Sequence, residues 1–343
     1  MATDEELLQR ERREMLDEYL AVLRPFLDSQ VTEICINRPG EIWTEDASGW
    51  RSNEVRQLTL NHCRYLASLV ASYNKKSVTT ENPILSATLP DGERIQIIIP
   101  PACTPDTVSI TVRKPSDVEF SLDELSQRGT FSQVRNIDNE LKPFEKELLQ
   151  LKEQKRYFEF LQSAVQHKRN ILIVGKTGSG KTTVTKALIQ CIPKSERLIT
   201  IEDVHELFMR DFPNKVHLFY SREEEGGHKV TAKDALAACL RMKPDRILLA
   251  ELRGDEAWEF IKSVNTGHPG SISTMHANGA FEAFEQLTAF IKDSRTGQHL
   301  DSDYVLKRLY ATLDVIMFFD RYRLVELFYD PEFKRQAAQN TRH

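Results

Sequence analysis

An apolar run, Ile171-Leu172-Ile173-Val174, leads directly into Gly175-Lys176-Thr177-Gly178-Ser179-Gly180-Lys181-Thr182. A wholly apolar run of this length reads as a strand buried on both faces. The glycine-rich stretch matches GxxxxGK[ST], and the next residues, Val184 to Cys191, read as a helix. Few chains can satisfy strand, glycine loop and helix in that order except by building a phosphate cradle. Gly178 and Gly180 let the backbone aim its N–H groups inward, and the helix N-terminus adds partial positive charge. Gly175 to Thr183 are therefore the expected nucleotide-binding residues. Lys181 would reach the β- and γ-phosphates, and Thr182 would offer a hydroxyl to Mg²⁺.

Apolar strands alternate with helices beyond this point, at Leu198 to Ile201, Ile247 to Ala250 and Ser271 to Thr274. That alternation predicts an α/β domain over 157–330, a mostly parallel sheet with helices on both faces. Ligands of such sheets bind at the C-terminal ends of the strands, so the residues there become candidates. After Leu198 to Ile201 come Glu202, Asp203 and Glu206, carboxylates able to hold a metal or position an attacking water. Arg246-Ile-Leu-Leu-Ala-Glu251 ends an apolar strand in an acid, the Walker B arrangement, and Glu251 would hold Mg²⁺. His276 closes the strand in Thr266 to Ala277 and would hydrogen-bond a γ-phosphate, while His268 would brace a turn. The expected metal ligands are Thr182, Glu202, Asp203 and Glu251.

Upstream, residues 4 to 24 read as an acid-rich helix stopped by Pro25. Val31 to Arg113 is mostly strands, with a helix over Leu58 to Tyr73 and a hairpin around Pro90-Asp91-Gly92. Residues 1–113 thus form a smaller N-terminal α+β domain. Residues 114–156 are dense in charge and read as a linker with short helices, long enough to let domains exchange between subunits. Residues 331–343 read as a polar, frayed tail.

Composition removes several classes. The chain has 343 residues, 40% hydrophobic and 28% charged, with a net charge of −5. This suits two soluble globular domains and disfavours stable nucleic-acid binding, which calls for a basic excess. The longest apolar run, Val315 to Phe319, is far short of the roughly twenty residues a membrane span needs. No direct membrane insertion is expected, and no signal pattern opens the chain, which places it in the cytoplasm. The scattered Cys35, Cys63, Cys103, Cys191 and Cys239 offer no metal-ligand spacing and read as free, buried thiols.

The four motifs in this order resemble a secretion traffic ATPase of type IV secretion and conjugation systems, the VirB eleven type. The resemblance rests on the phosphate loop, the IED-x-x-E segment at Ile201 to Glu206, LRMKPDRILLAELR at Leu240 to Arg253 and TGHPGSISTMHA at Thr266 to Ala277. It extends to INRPGEIW at Ile36, LPDGERIQIIIPP at Leu89 and SITVRKPS at Ser109, covering most of residues 30 to 320. Two departures stand out: Ala250 where Gly is frequent, and Lys243 where Arg is frequent.

The resemblance implies a homo-hexamer with a RecA-like ATPase ring and a second ring of N-terminal domains, with nucleotide between the two. It implies ATP and Mg²⁺ as cofactors, Glu206 as catalytic base, Glu251 as Walker B acid and His276 as γ-phosphate sensor. Arg94 and Arg113, unremarkable strand-end charges by themselves, match arginines that reach the phosphates. ATP-driven domain motion would power type IV secretion or conjugative transfer and pilus assembly. The partners would be inner-membrane channel ATPases and channel proteins, with the subunit peripheral at the inner membrane. The competing readings are a pilus assembly or type II secretion ATPase, a DNA translocase or helicase, and a nucleotide-binding scaffold without turnover.

Overall fold

The computed structural model describes residues 4–115, 119–134, 140–221 and 230–339. Its first half comprises α1 (Asp4–Leu20), α2 (Arg24–Leu27), β1 (Glu33–Ile36), β2 (Glu41–Asp46), β3 (Gly49–Glu54), α3 (Leu60–Tyr73), β4 (Ile84–Thr88), β5 (Arg94–Ile98) and β6 (Ser109–Arg113). The strands form a six-stranded sheet in the order β3-β2-β1-β6-β5-β4, antiparallel throughout. Period-two alternation sends Ile34, Ile36, Ile95, Ile97, Ile110 and Val112 to one face. There they pack with Leu16 and Leu20 of α1 and Leu66 and Val70 of α3. The first helix is shorter than residues 4–24: Pro25 opens α2, where a missing N–H costs nothing, instead of closing α1.

The second half comprises α4 (Leu122–Gln127), α5 (Pro143–Glu153), α6 (Tyr157–Gln166), β7 (Ile171–Gly175), α7 (Lys181–Gln190), β8 (Leu198–Glu202), β9 (Lys215–Phe219), α8 (Ala232–Cys239), β10 (Arg246–Leu249), α9 (Glu256–Asn265), β11 (Ile272–Met275), α10 (Glu282–Asp293), α11 (Ser302–Thr312), β12 (Val315–Asp320), β13 (Arg323–Phe328) and α12 (Pro331–Gln339). β10-β8-β9 and β11-β7-β12 are parallel, and β13 closes the second set antiparallel. The N–H of Leu252 donates to the Thr274 carbonyl at 2.8 Å, in an isolated parallel bridge between the two sets. One face is covered by α8 to α11 through Leu236, Ile261, Phe284 and Leu309. The other is covered by α5 to α7 through Leu148, Phe160 and Leu188.

Two expectations need correction. The charged stretch 114–156 is not linker to its end: Leu148 and Leu151 of α5 lie in the same core as Phe160 and Ile171. Nor is 331–339 a frayed tail. It forms α12, where Arg335 pairs with Glu145, Lys334 reaches Asp314 at 2.6 Å and Phe333 meets the Tyr310 ring edge-on. Charge on one face of each segment conceals the apolar residues on the other. The remaining parts of those expectations, at 116–118, 135–139 and 340–343, lie outside the described residues.

The two halves meet at a polar joint. Arg197, fully buried at the start of β8, donates through Nη1 to Asn37 Oδ1 at 2.7 Å and Asn214 Oδ1 at 2.6 Å. Asp245, just before β10, accepts from the Arg197 backbone at 2.7 Å and from Trp50 Nε1 at 3.1 Å. Lys243 donates to Glu45 at 2.8 Å. At the sheet edge the Phe219 N–H donates to the Ala102 carbonyl at 2.9 Å, and Ile98 and Cys103 join the core of the second half. The N-terminal half thus meets the N-terminal ends of β8 and β10 through Arg197 and Asp245, and reaches the C-terminal end of β9 through Phe219.

Candidate nucleotide site

β7 is buried along its whole length and delivers the glycine loop to its C-terminal end. Two glycines there are fixed by sterics. A Cβ on Gly175 would stand 2.3 Å from the Phe319 carbonyl oxygen. Gly180, at φ 96°, caps α7 in the left-handed region, and a Cβ would stand 2.8 Å from the Tyr322 ring. Helix α7 begins at Lys181 itself, three residues earlier than its apolar pattern suggests, so its free N–H groups face the loop.

A cavity of about 470 Å³ opens over this loop. Its walls are Thr177 to Thr183 from the loop, Asp203, Val204 and Glu206 after β8, and Ala250, Glu251 and Arg253 after β10. Thr274 and His276 of the β11 end and Tyr322 of the β12–β13 turn complete it. Lys181 is 9% exposed, and its ammonium donates to the carbonyls of Gly175 at 2.7 Å and Lys176 at 3.0 Å. Burial lowers its pKa, against the opposing pull of Glu251. His276 lies between the two charges, with Nδ1 3.4 Å from Lys181 Nζ and Nε2 3.0 Å from Glu251 Oε1. Burial first, then the neighbouring Lys181, lowers the His276 pKa, against a hydrogen bond with Gly175. Arg253 pairs with the same Glu251, and the Thr274 hydroxyl donates to the Ala250 carbonyl at 2.8 Å.

The donor set fits a triphosphate and a hard divalent cation. Backbone N–H groups, a lysine and the buried Ser179 hydroxyl, which has no partner among the described residues, face the phosphate side. Thr182, Asp203, Glu206 and Glu251 offer only oxygen, the chemistry Mg²⁺ prefers.

Three expected site residues stand elsewhere. Glu202 is fully buried behind the cavity wall. Its Oε2 accepts from the backbone N–H groups of Glu206 and Leu207, both at 2.8 Å, and its Oε1 accepts from the Thr200 hydroxyl at 2.6 Å. Burial pushes its pKa up, but hydrogen bonds from His217, Thr200, Leu207 and Glu206 together outweigh that and hold it below the usual value. It anchors the loop that presents Asp203 and Glu206 instead of reaching a metal beside the phosphates. Arg94 and Arg113 face each other in the β5–β6 register at the exposed end of the N-terminal sheet. Arg113 lies 3.5 Å from Glu33, and neither arginine lines the cavity.

Sequence reasoning missed Tyr322, Arg253 and Thr274. Arg253 and Thr274 sit inside segments already singled out and were legible from their neighbours. Tyr322 was not: its hairpin turn has Arg321 and Tyr322 at φ 46° and 64° without the usual Gly or Asn signal. His268 does brace a turn, with Nδ1 donating to the Pro244 carbonyl at 3.2 Å.

A family model described as "Type II/IV secretion system protein" matches residues 17–326. The type IV secretion system protein VirB11 of Brucella suis is 46% identical over 330 residues, covering 93% of this chain and 91% of that protein. The type IV secretion system protein PtlH of Bordetella pertussis is 41% identical over 313 residues, covering 91% and 92%. The crystal structure of the VirB11 ATPase from the Brucella suis type IV secretion system, in complex with sulphate, superposes with a TM-score of 0.89. That match covers 94% of this chain and 99% of the other, at 46% identity.

Proposed function

Because the chain belongs to the type II/IV secretion system protein family, and is a P-loop ATPase of its type IV secretion branch with a RecA-like domain, we propose that it is one subunit of a homo-hexameric ring. In that ring, ATP hydrolysis moves the N-terminal domains against the ATPase core and powers type IV secretion or conjugative transfer and pilus assembly. The subunit works in the cytoplasm, peripheral at the inner membrane, against channel ATPases and channel proteins there. No helix among the described residues is long and apolar enough to cross a membrane, in keeping with attachment through partners.

The observation that carries the reading is the continuous contact from the glycine loop through Lys181 and His276 to Glu251. In the nucleotide-bound state Lys181 exchanges its loop carbonyls for β- and γ-phosphate oxygens. Thr182, Asp203 and Glu251 would hold Mg²⁺, which would supply charge neutralisation at the transferring phosphoryl group. Glu206, exposed on its loop, orients and deprotonates the attacking water. His276 donates from Nε2 to the γ-phosphate in place of Glu251 and returns to the carboxylate after release. Arg94 and Arg113 come from the N-terminal domain of a neighbouring subunit, since neither lines the cavity of its own chain. They neutralise charge in the transition state and tie ring closure to the γ-phosphate.

The test joins turnover to particle mass. Lys181→Ala should lower Mg²⁺-dependent hydrolysis by at least about a hundredfold with an unchanged circular dichroism spectrum. ATP with Mg²⁺ should shift the native mass to six subunits. Undiminished turnover in the variant removes the mechanism, and a monomer under both conditions removes the ring.

A further inference from the structure

Behind the nucleotide cavity a second group of ligating side chains converges. One ligand atom from each of Glu202, His205 and His217 lies within 4.8 Å of the other two. Glu202 ends β8, His217 lies beside it in β9, and His205 is on the loop between them. His217 Nδ1 and Glu202 Oε1 share a hydrogen bond at 3.3 Å, a spacing that a bridging ion could take over. Two ligands each about 2.1 Å from a tetrahedral metal ion stand about 3.4 Å apart. The third ligand is available, because His205 Nε2 is buried and has no hydrogen-bond partner among the described residues.

The surroundings also suit a metal. Thr200 donates to Glu202 Oε1 and stands 2.9 Å from His217 Nδ1, a contact that an ion bound at Nδ1 would displace. The other Glu202 oxygen is fixed by two backbone N–H groups. Outer hydrogen bonds of this kind orient metal ligands. The His205 ring lies 4.5 Å from His217, 4.6 Å from Phe208 and 5.2 Å from Phe219, an aromatic wall on the ligand side.

We propose that Glu202, His205 and His217 form a binding site for a borderline divalent transition-metal ion of the Zn²⁺ class, distinct from the Mg²⁺ position over the glycine loop. Two imidazoles and one carboxylate leave a fourth position for water, and this ligand set discriminates against Mg²⁺. His205 is two residues from Asp203 and adjacent to Glu206, both of which line the nucleotide cavity. Occupancy therefore fastens the loop that presents them, by tying it to two β-strands.

The experiment uses the full chain, stripped with chelator and free of nucleotide, with Co²⁺ as the spectroscopic probe and Zn²⁺ as the competitor. The expected result is one Co²⁺ per chain with the intense visible bands of tetrahedral coordination, displaced by Zn²⁺ and not by Mg²⁺. His205→Gln, on the half-buried loop, should weaken binding by at least about tenfold, while Lys181→Ala leaves it unchanged. X-ray absorption of the Zn²⁺-bound wild-type chain should report nitrogen and oxygen ligands with no sulfur, independently of how any variant folds. Amide exchange across 203–209 should slow when the ion is bound. Octahedral Co²⁺, a sulfur ligand, or equal affinity in a folded His205→Gln protein overturns the site, and unchanged exchange overturns the bracing.

Discussion

Glu33 shows how burial can reverse an obvious charge reading at the scale of one residue. It lies opposite Arg113 in the β1–β6 register, and the two approach to 3.5 Å. Yet Glu33 is 3% exposed, and its Oε2 has no hydrogen-bond partner among the described residues. Burial pushes its pKa up to about 7, against the pull of Arg113 and Lys243. The folded value thus lies above the unfolded 4.5, so the folded chain holds this proton more tightly. The resulting stabilisation is fully present below pH 4.5 and is lost as the pH rises through about 7. Glu33→Gln keeps the neutral shape and removes the titration. At pH 8 the variant should be more stable than the parent by up to about 3 kcal/mol, and the two should converge near pH 4.5. Thermal midpoints from pH 4 to 9 check this, and parallel curves for the two proteins would refute it.

Between elements, the glycine loop depends on a neighbour far away in sequence. The turn joining β12 to β13 places Tyr322 over Gly180, and the Tyr322 N–H donates to the Ser179 carbonyl at 3.1 Å. Gly180→Ala meets two obstacles, a left-handed φ worth about 1–2 kcal/mol and the aromatic ring. It should cost turnover and stability together. Adding Tyr322→Ala should recover part of the stability but little of the turnover, because the backbone strain stays. Calorimetry and hydrolysis assays on the single and double variants separate the two effects. At the far end of the domain, removal of residues 331–343 takes away α12 with its Arg335–Glu145 and Lys334–Asp314 pairs. That truncation should lower the thermal midpoint by several degrees, whereas loss of a frayed tail would leave it unchanged.

The same contacts explain what sequence reasoning could reach. The loop, its strand and the acids after β8 and β10 are local patterns, so their chemistry could be read from consecutive residues. Tyr322 and the burial of Glu202 depend on partners distant in the chain. The β12–β13 hairpin carries no turn residues of the usual kind, and α5 and α12 hide an apolar face among charges.

For the molecule as a whole, the joint between the halves decides how force could pass between them. Alternation along β1, β5 and β6 sends Asn37, Ile98, Gln96, Ser109 and Thr111 to the face opposite the helices. Asn37 and Ile98 of that face touch the ATPase side. Beside the apolar contact of Ile98, Ala102 and Cys103, Gln96 Nε2, Ser109 Oγ, Arg197 Nη2 and Asn214 Nδ2 are buried without partners among the described residues. Those unsatisfied groups offset part of what the buried contacts gain from staying closed. What holds it is a rim in which Trp50 bonds Asp245 and lies over Arg197 and Lys243, at 5.5 Å and 6.0 Å, while Lys243 pairs with Glu45. Lys243, a departure within a nucleotide-site motif, thus serves the joint. Here a compact, more strongly hydrated ammonium meets a carboxylate without any planar fork being required. Trp50→Ala with Lys243→Ala should loosen the joint by about 1–3 kcal/mol and raise the rate of proteolysis between 119 and 142 several-fold. Hydrolysis should stay within a few-fold of the parent, because none of the residues that line the cavity within the chain belongs to the joint. Equal proteolysis in the two proteins would show that the rim does not hold the joint. A collapse of hydrolysis in a still folded, still hexameric variant would show that the N-terminal domain controls the cavity through this joint.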